Sequence, residues 1–439
     1  MKYFGTDGIR QTADKFTPEF IMSIIKGLVD YTGNDIKVLI SGDTRESTEW
    51  ILSDLEIALE TFGIEYGNAG ILPTPAINYC FAEMGFDIAI DVTASHNPYT
   101  DNGIKIFERG PNNTGIKLSE EGRVAIESAL ASGQTYAPVS PTIRENLHAE
   151  AVKIYQNHLI EYLGSANFSN IHLGMDCANG ATSVINKTVF EQLGATAELI
   201  NVNDSYNTEI NKNCGSTHLE ALQELVQNQN LDFGVAFDGD GDRVLMVDKN
   251  GEIVDGDQII AILANYLQLN SIAVTVMANQ GILNWAKDRG LKLEITPVGD
   301  SNVAAAMREK HIAIGGEQSG HIILPGEATG DGMLTALLVT KAIAATGKNL
   351  DELASIITKY PQVNLTLDAT PEQKQALKER SSAKDLLLEY NQKLQPIAGR
   401  LLVRPSGTEN LIRITMWGNN EEEITTLANE LKTKLGEIL

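Results

Sequence analysis

Short apolar runs alternate with amphipathic stretches over roughly the first 360 residues, and the same order of elements occurs three times. In the first stretch, the apolar run 36–40 precedes a helical pattern over 48–61, with apolar residues three and four positions apart. A second helical pattern over 75–84 leads to the apolar run 88–92, which ends in the loop 93–98. This order predicts two strands and two helices, with a polar loop after the last strand.

The second stretch begins with a predicted strand at 171–175, and the third begins with one at 272–276. Their closing strands and the loops that follow are 233–237 with 238–243, and 312–314 with 315–321. Strands that alternate with helices predict α/β sheets, in which ligands collect beyond the carboxyl ends of the strands. We therefore expect the three loops to point into one cleft.

After about residue 360 the pattern changes to a smaller α+β arrangement. Strands are predicted at 363–367, 400–404 and 411–416, and helices at 371–381 and 421–439. The sequence thus predicts three similar α/β domains with mixed sheets and a smaller C-terminal α+β domain. We call them domains I to IV, with predicted bounds 1–149, 150–249, 250–359 and 360–439.

The charge balance excludes one class of function, because 34 Lys and Arg residues stand against 58 Asp and Glu, a formal net charge of −24. Such a surface repels nucleic acid, so we expect no nucleic-acid partner. An anionic small molecule would need a local cluster of cations. The most apolar run near the end of the third stretch, 335–346, is interrupted by Lys341 and is too short to cross a bilayer, so we expect no membrane partner.

Cysteine usage indicates a reducing compartment. The chain has three cysteines, Cys80, Cys177 and Cys214, with no CxxC pair among them. An odd, sparse set favours reduced thiols over disulfides. The N-terminal residues lack the apolar core of a signal peptide. We therefore expect a cytoplasmic protein.

Three aspartates after the second closing strand predict a metal site. Asp238, Asp240 and Asp242 are spaced by two, and the glycines between them let the backbone curl so that the carboxylates converge. Carboxylate oxygens suit a hard cation such as Mg²⁺. An EF-hand loop is excluded, because Arg243 and Lys249 stand where that loop needs Gly and Glu. The alternative is a solvated acidic turn.

A serine in the loop 93–98 is the candidate for covalent chemistry. No Gly-x-Ser-x-Gly elbow surrounds Ser95, so a hydrolase arrangement is not indicated. A phosphorylated Ser95 would instead supply oxygens that complete the metal shell. His96 and Asn97 are candidates for supporting contacts. Lys105 is a candidate to neutralise phosphate charge or relay a proton, although a plain surface lysine is the alternative.

The loop 404–408 in domain IV has the composition of a phosphate-binding cradle. It offers the guanidinium of Arg404, two hydroxyls and a flexible glycine. A Ser-Gly-Thr turn is common, so the composition alone leaves an ordinary turn open. Arg10, which follows the segment 4–9, is a further candidate cation, with a surface role as the alternative.

Taken together and in order, these motifs resemble the α-D-phosphohexomutase superfamily. The resemblance covers nearly the whole chain through the segments 4–10, 93–107, 238–243, 316–321 and 404–409. It implies four domains arranged around a central cleft. It also implies a bound Mg²⁺ ion and a sugar 1,6-bisphosphate that serves as intermediate and activator.

The resemblance also assigns roles to residues of this chain. Ser95 is implied to be the phosphoserine and, with Asp238, Asp240 and Asp242, to bind Mg²⁺. The residues implied to bind substrate are Glu317 and Ser319 for the sugar hydroxyls, and Arg404, Ser406, Gly407 and Thr408 for the non-reacting phosphate. Those implied to assist catalysis are Arg10, Lys105, Arg243 and His321.

The implied reaction interconverts glucosamine 6-phosphate and glucosamine 1-phosphate, on the route to UDP-N-acetylglucosamine. The amino-sugar preference depends on the loop 316–321, and a mutase for mannose or glucose phosphates is the nearest alternative. A metal-dependent phosphatase and a non-catalytic phosphosugar-binding protein are alternatives from other classes. We expect a monomer or a homodimer with a phosphosugar as its small-molecule partner.

Four positions depart from the pattern of the superfamily. Ser301 and Asn302 stand where many members have Arg and Tyr, which removes a cation from domain III. Asn410 stands where Pro usually follows the cradle, and Asp91 stands in a strand position where an apolar residue is commoner.

Overall fold

The structure is a computed structural model that describes residues 1–5, 7–110, 114–140, 146–185, 187–406 and 410–439. Its strands form four sheets, three of them mixed and one antiparallel. In the described part of the chain, no helix is long and apolar enough to cross a membrane.

Domain I is built on a seven-stranded sheet. Its elements are β1 (Phe4–Gly5), β2 (Gly8–Thr12), α1 (Pro18–Thr32), β3 (Lys37–Gly42), α2 (Glu46–Thr61), β4 (Glu65–Ile71), α3 (Thr74–Glu83), β5 (Ile88–Val92), β6 (Asp101–Arg109), β7 (Gly115–Lys117) and α4 (Glu120–Ser132). The strand order is β1-β2-β6-β5-β3-β4, and β7 pairs with β6. Helix α2 forms because its apolar residues recur at helical spacing and are all buried, as predicted: Ile51, Leu52, Leu55, Ala58 and Leu59.

Domain II is built on a five-stranded sheet. Its elements are α5 (His148–Leu163), β8 (His172–Asp176), α6 (Thr188–Gln192), β9 (Thr196–Ile200), α7 (Glu220–Gln229), β10 (Phe233–Phe237), β11 (Val244–Asp248) and β12 (Ile253–Val254). The strand order is β12-β11-β10-β8-β9. Helix α5 spans the predicted bound between 149 and 150, so the domain bounds stay a prediction.

Domain III has a four-stranded sheet. Its elements are α8 (Gly256–Tyr266), β13 (Ser271–Thr275), α9 (Gln280–Asp288), β14 (Lys292–Thr296), α10 (Asp300–Lys310), β15 (Gly315–Gly316), β16 (Ile322–Ile323), α11 (Gly332–Thr346) and α12 (Leu350–Ala354). The predicted strand 312–314 is wrong in position, because the backbone pairs with β13 as β15 at Gly315–Gly316. The apolar side chains that suggested the earlier strand, such as Ile312, pack into the core instead.

The internal repeat predicted from the sequence is confirmed by the sheets. Each of the first three sheets contains the same four-strand order: β4-β3-β5-β6, β9-β8-β10-β11 and β14-β13-β15-β16. In each set, the strand that comes first along the chain (β3, β8 or β13) lies between two parallel neighbours. The strand that comes last along the chain (β6, β11 or β16) pairs antiparallel to its neighbour. The loops at 93–98, 238–243 and 317–321 therefore occupy equivalent positions.

Domain IV has a different plan. Its elements are β17 (Gln362–Asp368), α13 (Pro371–Glu379), α14 (Ser381–Leu394), β18 (Arg400–Pro405), β19 (Leu411–Trp417) and α15 (Glu421–Ile438). The antiparallel order is β17-β19-β18. One apolar cluster, from Leu39 to Ile357, joins domains I, II and III, whereas domain IV has a cluster of its own, from Ala369 to Leu435.

Candidate active site

The loop after β5 holds Ser95 in a strained, fixed conformation. Its φ of 54° is in the left-handed region, which costs a residue with a side chain about 1 kcal/mol. Hydrogen bonds offset that cost. The N–H of Ser95 donates to Thr93 Oγ1 at 2.8 Å, and its carbonyl accepts from Arg45 Nη2 at 2.6 Å and from Asn211 Nδ2 at 2.8 Å. The backbone of this serine is thus held from both domain I and domain II.

The hydroxyl of Ser95 is buried and points at the loop after β10. Its Oγ donates to Asp238 Oδ2 at 2.7 Å. Gly239 permits this approach, because a Cβ at that position would lie 2.7 Å from the carbonyl oxygen of Ser95. Gly241, with φ of 71°, turns the backbone so that the next carboxylate faces the same side.

The three aspartates fit a hard cation. One oxygen from each of Asp238, Asp240 and Asp242 lies within 4.8 Å of the others, and all three residues are buried. Asp240 Oδ1 and Asp242 Oδ1 are buried and have no hydrogen-bond partner among the described residues. Burial and the charges of Asp240 and Asp242 raise the pKa of Asp238 well above its usual value. Buried carboxylate oxygens without donors call for positive charge, and oxygen ligands suit Mg²⁺.

Lys105 brings positive charge to the same carboxylates from the middle of β6. Its Nζ lies 2.7 Å from Asp240 Oδ2, 2.8 Å from Asp242 Oδ2 and 3.3 Å from Asp7 Oδ2. Burial favours a lower pKa for Lys105, but the three carboxylates outweigh it and hold that pKa well above its usual value. The side chain is therefore a buried ammonium ion, and the alternative of a plain surface lysine is wrong.

Arg243 and His96 form a supporting pair beside the serine. The N–H of Arg243 donates to Asp238 Oδ1 at 3.1 Å, and its Nη1 donates to His96 Nδ1 at 2.8 Å. Burial, with the charge of Arg243, lowers the pKa of His96 to about 3. His96 is thus a neutral ring whose Nδ1, 3.3 Å from Ser95 Oγ, already accepts a hydrogen bond. Its contact with Arg243 Nη1 holds that guanidinium beside Ser95.

The loop of domain III lies against the loop of domain II. Arg243 and His321 pair in an isolated antiparallel bridge, and His321 is buried. His321 Nε2 accepts from the N–H of Gly330 at 3.3 Å, whereas its Nδ1 is buried without a partner among the described residues. Glu317 is half-buried and accepts from the N–H of Gly299 at 3.0 Å, and Ser319 is exposed.

A second network, centred on Asp7, was missed by the sequence reasoning. Arg10 Nη2 donates to Asp7 Oδ2 at 2.6 Å, and Lys117 Nζ donates to Asp7 Oδ1 at 2.5 Å. Lys117 also bonds Asp300, at the start of α10 in domain III. Burial favours a higher pKa for Asp7, but Lys105, Lys117 and Arg10 outweigh it and hold the pKa well below its usual value. The only hint in the sequence was the conspicuous segment 4–10.

A cavity of about 530 Å³ opens beside these residues, between domains I and III. Lys105, Lys117 and Ser301 are among the residues that line it, together with Arg123 and Arg308. The volume suits a small organic ligand. Its cations supply the local positive charge that an anionic substrate of this acidic chain requires.

The cradle of domain IV is described in part. Arg404 lies near the end of β18, opposite Arg413 of β19, and its Nε is buried without a partner among the described residues. Burial and the charge of Arg413 lower the pKa of Arg404, while Glu317 of domain III opposes that shift. Ser406 is buried, with its N–H donating to the carbonyl of Leu411 at 2.9 Å. Gly407 and Thr408 lie outside the described residues.

Ser95, Lys105, Arg243 and the three aspartates therefore meet at one point where domains I and II join. Arg10 is linked to this point by its hydrogen bond to Asp7, which also lies beside Lys105. His321 is linked to it by its backbone bridge to Arg243. Glu317 connects it electrostatically to Arg404. Fold and site together define a class: a phosphoryl-transfer enzyme built from three repeated α/β domains and a C-terminal domain.

Comparison with known proteins agrees with this class, and the chain belongs to the phosphoglucomutase/phosphomannomutase family. Its α/β/α domain I matches residues 1–137, domain II matches 153–251 and domain III matches 255–360, while the C-terminal domain matches 395–434. The superfamily and fold expected from the sequence motifs are thereby confirmed.

Individual proteins resemble the chain along its whole length. The phosphoglucosamine mutase of Caldicellulosiruptor saccharolyticus is 42% identical over 98% of both chains. A family protein from Burkholderia thailandensis has a similar structure, with a TM-score of 0.78, 19% identity and coverage of 99% of this chain and 97% of that one. The structure of the N-acetylphosphoglucosamine mutase of Aspergillus fumigatus, solved with GlcNAc-6P and magnesium, is also similar, with a TM-score of 0.64 and 18% identity. That match covers 98% of this chain and 95% of the other.

Proposed function

We propose that this protein is a mutase that interconverts glucosamine 6-phosphate and glucosamine 1-phosphate through a phosphorylated Ser95. The observation that carries the proposal is the contact of Ser95 Oγ with Asp238 Oδ2 at 2.7 Å, beside two buried carboxylate oxygens without donors. Relatives named phosphoglucosamine mutase, 38–42% identical over 98% of this chain, support the amino-sugar substrate.

The reaction consists of two phosphoryl transfers in opposite directions. The bond between phosphorus and Oγ of phospho-Ser95 breaks as the free sugar hydroxyl bonds to phosphorus, and the hydroxyl proton passes to the leaving Ser95 Oγ. The product is a bound sugar 1,6-bisphosphate, which turns over in the cleft. Ser95 Oγ then bonds the other phosphorus as the sugar oxygen leaves, and the serine proton passes to that sugar oxygen. The serine proton has Asp238 Oδ2 as its nearest acceptor.

Asp238, Asp240, Asp242 and phospho-Ser95 are the residues that would hold Mg²⁺, which when bound neutralises charge on the phosphoryl oxygens. The permanent cations of the chain act beside it. Lys105 keeps its proton throughout and offers its ammonium to the transferring group. Arg243, anchored on Asp238 and His96, offers its guanidinium from the other side.

Binding of the sugar and the second phosphate falls to domains III and IV. We infer that Glu317 and Ser319 bind sugar hydroxyls, and that His321 and Arg10 assist from the edge of the site. Arg404, Ser406, Gly407 and Thr408 hold the non-reacting phosphate, whichever end of the sugar carries it. Since this cradle lies on a domain with its own core, we expect domain IV to close over the substrate.

Two further points stay predictions. A cytoplasmic location is supported by the three cysteines, which are buried and unpaired. A monomer or a homodimer is expected.

The first test is conversion of glucosamine 6-phosphate with Mg²⁺ and a sugar 1,6-bisphosphate, for wild type and Ser95→Ala. Wild type should convert the substrate, and Ser95→Ala should lose at least about 10³-fold in rate, because the covalent step is removed. Ser128→Ala, which removes a hydroxyl from the exposed face of α4, is the matched control and should retain wild-type activity.

Other outcomes select the alternatives. Activity confined to mannose or glucose phosphates indicates a mutase with the same mechanism and a hexose phosphate as its substrate. Release of inorganic phosphate without isomerisation indicates a phosphatase. Binding of phosphosugars with no turnover, and no effect of Ser95→Ala, indicates a binding protein.

A further inference from the structure

Asp91 is a fully buried carboxyl in the middle of β5, which otherwise consists of Ile88, Ala89, Ile90 and Val92. Neither the sequence motifs nor the mechanism gives it a role. A buried carboxyl must be paired, hydrogen-bonded or neutral, since an isolated buried charge is too costly to persist. Its surroundings decide which of these states it adopts.

Only hydroxyl groups contact Asp91 among the described residues. Its Oδ1 lies 3.1 Å from Ser41 Oγ in β3, and its Oδ2 lies 2.5 Å from Thr74 Oγ1 in α3. The charged groups that face it are Lys105 of β6 and the carboxylates of Asp43 and Asp240. None of the ion pairs within 4.0 Å in the described part of the chain includes Asp91.

The hydroxyl of Thr74 joins two carboxyl groups. Besides Asp91, Thr74 Oγ1 lies 2.7 Å from Asp240 Oδ2. A threonine hydroxyl has one proton and can donate one hydrogen bond. If both carboxyls were ionised, one of the two contacts would place two oxygens close together with no proton between them. One of the two carboxyls therefore carries a proton.

The contacts identify Asp91 as the protonated one. Asp240 Oδ2 also accepts from Lys105 Nζ at 2.7 Å, so a proton on that oxygen would face an ammonium ion. No cation of the described residues lies within 4.0 Å of the Asp91 carboxyl. Burial, aided by the charges of Asp240 and Asp43 and opposed by Lys105, raises the pKa of Asp91 to about 7.

We propose that Asp91 is a positioning residue: a neutral carboxylic acid that donates to Thr74 Oγ1, so that the Thr74 hydroxyl donates to Asp240 Oδ2. With Thr74 and Lys105 both bound to Oδ2, the oxygen of Asp240 left without a partner is Oδ1. The chain of hydrogen bonds thus fixes the carboxylate plane and presents Oδ1 to a cation. The role in cation binding rests on the proposed function, whereas the protonation of Asp91 does not.

The protonation is tested by infrared difference spectroscopy of the full-length protein at about pH 6, below the raised pKa of Asp91. The spectrum of wild type minus Asp91→Asn should contain the C=O band of a protonated carboxylic acid. The matched control is Asp176→Asn. Asp176 lies at the end of β8, and its oxygens accept from N–H groups of Ala178, Gly215 and Asn201, all donors that suit an ionised carboxylate. Its difference spectrum should lack the acid band. Absence of the band for Asp91 would overturn the proposal, whatever the enzyme does.

Thermal unfolding provides a second readout of the same proton. A carboxyl whose pKa is raised by folding adds stability at low pH, and this contribution is lost as pH rises towards the folded pKa. The Tm of wild type should therefore fall relative to that of Asp91→Asn between about pH 5 and about pH 8. Equal Tm differences at both ends of this range would contradict a buried acid.

The positioning role is tested by binding of Mn²⁺, followed by electron paramagnetic resonance, with no turnover involved. Asp91→Asn keeps a neutral donor towards Thr74 and should bind Mn²⁺ within about threefold of wild type. Thr74→Val removes the donor and should weaken binding about 10- to 100-fold, as for other partners that orient metal ligands, while Thr74→Ser should restore it. Wild-type binding by Thr74→Val would overturn the positioning role.

Discussion

The two regions that we propose bind phosphate differ in how their positive charge is balanced. At the junction of domains I and II, Lys105 lies within 3.3 Å of three carboxylates, and Arg243 lies beside two. In domain IV, Arg404 faces another arginine across the β18–β19 ladder. In the first region, both cations are already paired with carboxylates before substrate arrives. In the second, two arginine side chains lie on neighbouring strands, and guanidinium groups suit the binding of a phosphate.

The regions also differ in what supports them. The junction is built on the apolar cluster that joins three domains, so its geometry is rigid and preorganised for charge stabilisation. The cradle lies on a domain with a separate core and few polar contacts to domain III, among them Gln318 Nε2 to Gln362 Oε1 at 3.2 Å and Asn279 Nδ2 to the carbonyl of Tyr360 at 2.8 Å. The junction is thus supported by a core that three domains share, whereas the cradle is supported by the core of domain IV alone.

The largest effect is expected when the junction loses its ammonium. Lys105→Met should lower kcat by about 10³-fold, because the charge that faces the transferring phosphoryl group is removed. It also removes the cation that contacts both Asp240 and Asp242, so added Mg²⁺ should raise Tm more in this variant than in wild type. Steady-state kinetics and thermal melts measure both effects.

The control for this variant is Lys37→Met, which removes an ammonium from an exposed pair with Glu65 and should leave kcat unchanged. A kcat for Lys105→Met within tenfold of wild type would mean that the buried ammonium is structural only.

Loss of the guanidinium in the cradle should act on binding. Arg404→Ala should raise KM about 30- to 100-fold and change kcat by less than about fivefold, because the contact to the non-reacting phosphate is the same in ground state and transition state. Lys378→Ala, on the exposed face of α13 in the same domain, is the control. A fall in kcat equal to the fall in kcat/KM would mean that Arg404 contacts the substrate only in the transition state. The proposed division between a catalytic region and a binding region would then be wrong.

The separate core of domain IV predicts separate unfolding. Trp417 is fully buried in that domain, stacked on Arg400, and in a Trp50→Phe, Trp285→Phe background it reports on domain IV alone. Its fluorescence should change at a urea concentration about 0.5–1 M below the loss of helical circular dichroism, since fewer contacts hold this domain. Coincident transitions would show that all four domains unfold together.

The sequence predicted the parts of the molecule that local pattern determines. The triple repeat and its three loops follow from the alternation of strands and helices, and the junction follows because equivalent loops meet at the same edge of their sheets. The two-residue strand β15 was misplaced, since Gly315 and Gly316 carry no apolar signal. Their pairing with β13 depends on the tertiary fold.

Contacts between domains were not predictable in the same way. Asp7 and Lys117 are separated by more than a hundred residues, and nothing in their local sequence indicates that they share an ion pair. The chain Asp91–Thr74–Asp240 likewise crosses from domain I to domain II. Its only sign in the sequence was a carboxyl where an apolar side chain was expected.

The smallest effect is expected where the chain departs from its superfamily at Ser301. Lys117 reaches Asp300 from domain I, so a cation already lies beside the position where many members carry an arginine. Ser301→Arg alone should therefore change kcat/KM for glucosamine 6-phosphate by less than about threefold. Lys117→Met should raise KM by about tenfold, since it removes a cation from the cavity wall.

The double variant decides whether the two positions are equivalent. If Lys117 supplies the charge that Ser301 lacks, Ser301→Arg should restore most of the affinity lost in Lys117→Met, although it adds nothing to wild type, and the pair should show strong coupling in a double-mutant cycle. Additive effects would mean that Lys117 acts only by joining domains I and III through Asp7 and Asp300. In that case the cavity beside Lys105 draws its positive charge from Arg123 and Arg308, and these arginines become the residues whose loss should raise KM.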